Sequence, residues 1–152
     1  GEVFLHSGML FKYLKSIKEL DIKKSVVTNG YWGELEPFCD ILEDLKRSGI
    51  FEIIIEYDSY HSVFIEEKIL KKAIEKCIAS GLKLGLKSFV TSKNLYNFID
   101  NKTYNMVKRL AGNYDIKDII FEDRIEENNL YNHMLLKNKY TILPDKIPQK
   151  PL

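Results

Sequence analysis

What most constrains this chain is a regular alternation of short apolar runs with longer stretches of helical period. Val3-Phe4-Leu5 precedes Leu10, Leu14 and Ile17, whose spacings of four and three predict a strand followed by a helix. Ser25-Val26-Val27-Thr28 runs into the turn signal Asn29-Gly30, and Leu35, Phe38, Leu42 and Leu45 then repeat at three, four and three. Pro37 suits the first turn of that helix, where its missing N–H costs nothing, and Ser48-Gly49 ends it. Phe51 to Tyr57 is the strongest strand, because three consecutive isoleucines suit a parallel strand buried on both faces.

Ile65, Ile69, Ala73 and Cys77 mark a helix ending at Gly81, and Leu82 to Val90 returns to extended character. Leu95, Phe98 and Ile99, then Met106, Val107, Leu110 and Ala111, predict one long or two short helices, with Asp100-Asn101 as the break. Lys117 to Phe121 reads as a last strand, and Leu130, Met134 and Leu135 as a short closing helix. Each connection is long enough for a crossover helix, so the expectation is an α/β fold of about five βα units on a parallel sheet. An open doubly wound sheet and part of a barrel both satisfy that pattern. Residues 1–140 form the expected core, and residues 141–152, with three prolines from position 144 onward, an irregular tail.

The 152 residues favour one domain. Lys and Arg number 23 against 22 Asp and Glu, a net charge of +1, so composition implies no nucleic-acid surface. No apolar run is long enough to cross a membrane and no signal peptide is recognisable, which makes the cytoplasm the expected compartment. The chain begins at Gly1, without an initiator methionine, and reads as a fragment.

In any parallel sheet, ligands meet the carboxyl ends of the strands. Those ends carry Thr28, Asn29 and Gly30; Glu56 to His61; Thr91 to Asn94; and Glu122, Asp123 and Arg124. Strand alternation places Glu56 and Asp58 on one side. At a solvent-facing edge the pair is merely hydrated; in a lumen it needs a cation, a metal or hydroxyl donors, and Lys87 is a candidate cation. His61 lies three residues beyond Asp58, close enough to be oriented by it or simply to begin a helix. His6 can approach the same rim, while His133 belongs to a polar surface segment. Cys39 and Cys77 fall on predicted helices as small apolar residues and are rejected as ligands, and Trp32 reads as packing.

Three segments together resemble the radical S-adenosylmethionine enzymes: Gly1-Glu2 before an apolar pair and a helix, Thr28-Asn29-Gly30-Tyr31-Trp32, and Ile55-Glu56-Tyr57-Asp58-Ser59-Tyr60-His61. Their order and βα spacing agree with that family over Gly1 to about Arg124. The resemblance implies a partial TIM-like barrel and a cofactor-binding set of Gly1, Glu2, Thr28, Asn29, Gly30, Glu56, Asp58 and His61. Gly1 and Glu2 match the end of the amine-binding Gly-Gly-Glu-Pro segment with Val3 in place of proline, Thr28-Asn29-Gly30 matches throughout, and Asp58 matches a ribose-contacting position where Glu56 replaces a frequent serine. The family's CxxxCxxC loop has no counterpart in this chain.

The expected parent enzyme therefore binds a [4Fe-4S] cluster and S-adenosylmethionine, generates a 5′-deoxyadenosyl radical, and abstracts hydrogen from a peptide or small-molecule substrate. This chain alone is expected to hold neither cofactor and to be inactive. An exposed N-terminal strand edge would offer a route to self-association. Two other readings are a divalent-metal-dependent hydrolase or isomerase built on His6, Glu56, Asp58, His61, Glu122 and Asp123, and a non-catalytic α/β interaction module.

Overall fold

In the computed structural model, residues 2–90 and 98–123 are described. Four strands, β1 (Lys24–Thr28), β2 (Ile50–Glu56), β3 (Lys83–Val90) and β4 (Asp118–Asp123), alternate with helices α1 (Ser7–Ser16), α2 (Phe38–Arg47), α3 (Glu67–Ser80) and α4 (Phe98–Asn113). All three strand pairings are parallel and the sheet order is β1-β2-β3-β4. The α/β class with a parallel sheet follows directly, as the alternation predicts. The order contains no reversal, so these four strands hold no topological switch point of the doubly wound kind.

One expected strand is absent. Val3–His6 forms a 3-10 turn leading into α1, and Glu2 caps it by accepting the Phe4 N–H at 3.0 Å. An apolar triplet has the same composition in either state, and here the preceding carboxylate and the packing of Phe4 against Trp32 and Phe38 decide. The described fold thus has four strands rather than five, and the N-terminal edge of the sheet is β1. Asp100-Asn101 does not break α4, which runs continuously from Phe98 to Asn113. Leu95, the predicted closing helix and the proline-containing tail lie outside the described residues.

Strand period and helix period meet in a single core. Val26, Ile53, Ile55, Leu84 and Leu86 project from the sheet toward Leu14, Leu42, Leu45, Leu70, Ala73, Ile74, Val107 and Leu110 of the helices. Each fully buried Leu or Ile contributes roughly 1.5–3 kcal/mol, so this layer dominates stability. Trp32, wholly buried, stacks on Phe38 with ring centroids 4.8 Å apart, which agrees with a packing role. Residues on the other sheet face, including Glu52, Glu56, Lys83 and Lys87, lie outside this core.

Candidate functional site

Parallel pairing brings the carboxyl ends of all four strands to one end of the sheet. At the end of β1, the Thr28 hydroxyl donates to Glu2 Oε1 at 2.9 Å and accepts from Trp32 Nε1 at 2.9 Å and from the Gly30 amide at 3.3 Å. Glu2 Oε2 accepts the Asn29 N–H at 2.8 Å. Asn29 Oδ1 in turn accepts the Tyr31 N–H at 3.0 Å, a side-chain turn that asparagine forms readily. Gly30 completes the turn with φ of 75°, a left-handed conformation that favours glycine. Glu2 is therefore spent on fixing the Thr28-Asn29-Gly30 turn, and Gly1 lies outside the described residues.

At the end of β2, the Tyr57 N–H donates to the Lys87 carbonyl at 2.8 Å and its hydroxyl donates to the Ile65 carbonyl at 2.5 Å. Burial first, then the charges of Glu67 and Asp58, pushes the Tyr57 hydroxyl up to about 12, so it stays protonated at neutral pH. Asp58 is completely buried, and its Oδ1 accepts the Tyr60 and His61 amides at 2.9 and 3.1 Å. His61 Nδ1 lies 3.0 Å from the same oxygen. Burial pushes the Asp58 carboxyl upward, but His61 and the two amides outweigh it and hold it below the usual carboxylate range. His61 is raised by its pairing with Asp58, against burial, and further by the charges of Asp58, Glu56 and Glu2. Those influences put Glu2, Glu56, Asp58 and His61 in one electrostatic neighbourhood.

Two linked effects fix the pH response. The depressed Asp58 carboxyl stabilises the fold above its unfolded value of about 3.9, and that contribution is lost as pH falls through the folded value. The raised His61 stabilises below about 6.5 and its contribution is lost as pH rises through the folded value. The melting temperature of the protein minus that of a His61→Asn variant should therefore peak between about pH 4 and 6.5 and shrink on both sides. A difference that is flat from pH 4 to 9 would show that the pair carries no such linkage.

Lys87 lies 3.6 Å from Glu56 Oε2 and 3.1 Å from Glu122 Oε2, so it is the cation for Glu56, whereas His61 serves Asp58. A second row four residues earlier on the strands, about 13 Å lower on the sheet at a strand's rise of about 3.3 Å per residue, repeats this arrangement, with Lys83 3.0 Å from both Glu52 and Asp118. The spacing of Glu52 and Glu56 against Lys83 and Lys87, four residues apart on two strands, is the sequence signal for these rows that strand-end reading overlooks. The link from Glu2 to Thr28 and Trp32 has no comparable sequence signal, because Glu2 stands 26 residues before Thr28.

Glu56, Asp58 and His61 each offer a ligand atom within 4.8 Å of the others. The remaining members of the proposed metal set are not brought to this group in the same way: His6 is exposed on the N-terminal turn and Glu122 is engaged by Lys87. The Asp123 side chain, Arg124, Thr91 to Asn94 and His133 lie outside the described residues.

The cysteines do not fit an iron–sulfur cluster. Cys39 is exposed on α2, and Cys77 is buried in α3, where burial pushes its thiol up to about 12. A cluster held by three thiolates needs one more cysteine than the chain contains and low-pKa thiols where it has a buried one.

No family model matches the chain. A curated protein of Bacillus subtilis (strain 168), YydG, whose name assigns it to peptide biosynthesis, is 28% identical over 76 residues. That stretch takes in 49% of this chain and 24% of YydG, so the match covers about a quarter of the relative's length. Among the described residues no helix is long and apolar enough to cross a membrane.

Proposed function

We propose that the chain is the αβ-repeat portion of a radical S-adenosylmethionine enzyme that acts on a peptide. The similarity to YydG supports a relation to that family at most, and the name of that relative supports peptide as the substrate class. The observation that carries the reading is the convergence of Asn29, on the turn that Glu2 holds in place, with Glu56, Asp58 and His61 of the neighbouring strand at one end of a parallel sheet. S-adenosylmethionine presents an ammonium, a sulfonium and a ribose diol, all of which suit carboxylate and amide acceptors. In this reading Asn29 and Gly30 meet the amino-acid end on the turn that Thr28 braces, Glu56 holds a ribose hydroxyl, and the buried Asp58, paired with His61, fixes the turn that follows Glu56. When bound to its cluster, the cofactor supplies a carbon-centred radical that abstracts hydrogen from substrate. The cluster itself needs cysteines from outside this chain, and no step is assigned to Cys39 or Cys77.

A second reading has one observation in its favour, the closeness of Glu56, Asp58 and His61, an oxygen and imidazole set suited to Mn²⁺ or Zn²⁺. One thermal-shift and calorimetric series separates the two. The radical-enzyme reading predicts that the reading frame extended upstream encodes a CxxxCxxC segment, and that the longer polypeptide binds S-adenosylmethionine far better than this chain does. It also predicts that Asp58→Ala weakens that binding at least tenfold, about 1.4 kcal/mol. An upstream sequence without the three cysteines, or cofactor binding indifferent to Asp58, would sink it. Micromolar Mn²⁺ or Zn²⁺ binding that disappears in His61→Ala would establish the metal reading instead.

A further inference from the structure

We draw no further inference here: the strongest candidate, the exposed apolar stripe of Leu5, Met9 and Tyr13 on the N-terminal turn and α1, next to the edge strand β1, carries none because nothing in the structure shows what covers it.

Discussion

Gly33→Ala should lower the melting temperature by about 10 °C or more, a loss of roughly 3 kcal/mol or above. A Cβ at this position would lie 2.0 Å from the Ile69 carbonyl oxygen, 2.7 Å from the Ala73 nitrogen and 3.0 Å from the Ile69 carbonyl carbon. All three are backbone atoms in α3, so no side chain can swing aside to make room. The turn that carries Gly33 cannot retreat easily either. Its backbone is tied by Gly33 N–H to Gly30 O at 3.1 Å and Leu35 N–H to Trp32 O at 2.8 Å, and Trp32 is wedged against Phe4 and Phe38. Added methyl groups in well-packed interiors cost about 1–3 kcal/mol, and a backbone-to-backbone contact belongs at or beyond the upper end of that range.

Two other glycines supply the control. Neither Gly8 in α1 nor Gly112 in α4 has any heavy atom within 4 Å of a built Cβ. Their replacement by alanine should leave stability unchanged or raise it by up to about 1 kcal/mol through helix propensity. Thermal and urea unfolding of the three variants, expected to separate Gly33 clearly from the other two, checks the claim. A Gly33→Ala protein as stable as the parent would mean that the turn does not sit against α3 as described. The consequence reaches the site, because the same turn follows Thr28-Asn29-Gly30 and fixes where that segment leaves β1.

How far the sequence discloses this fold depends on which physical signal each element carries. β2, β3 and the helices α2 and α3 are legible because the apolar period of each decides its burial without reference to the rest of the chain. Val3-Phe4-Leu5 is misread because a triplet is too short to hold a period, and its conformation is set by a carboxylate at position 2 and an aromatic cluster assembled from α2 and the turn before it. The continuity of α4 through Asp100-Asn101 is a similar case: two poor helix formers cost less than about 1.5 kcal/mol together, which the packing of Val107, Leu110 and Ala111 exceeds. Within the site, the approach of His61 to Asp58 follows from a three-residue spacing at a strand end. The division of labour among cations does not: whether Lys87 serves Glu56 or Asp58 depends on Asp58 turning fully inward after β2 ends, which alternation alone would not indicate.

The same logic identifies the second large effect, in a residue whose role looks like ligand binding in sequence and like positioning in structure. Glu2→Gln and Thr28→Val should each destabilise the protein by about 2 kcal/mol, and the double variant should cost about 1–2 kcal/mol less than the two losses added. Thr28→Val leaves the buried Trp32 indole N–H and one Glu2 oxygen without the hydroxyl that joins them. Glu2→Gln replaces one of two acceptor oxygens by a donor, where the Phe4 N–H, the Asn29 N–H and the Thr28 hydroxyl all point toward the carboxylate. Because both changes break one network, removing the second member after the first removes less. Urea denaturation of the four proteins in the cycle measures the coupling. Strict additivity would show that Glu2 and Thr28 act independently and would withdraw the argument that Glu2 holds the β1 turn in place. With the coupling present, Glu2→Gln should also weaken ligand binding at Asn29 while Asp58 and His61 keep their mutual pH response, since the β2 turn is built on its own hydrogen bonds.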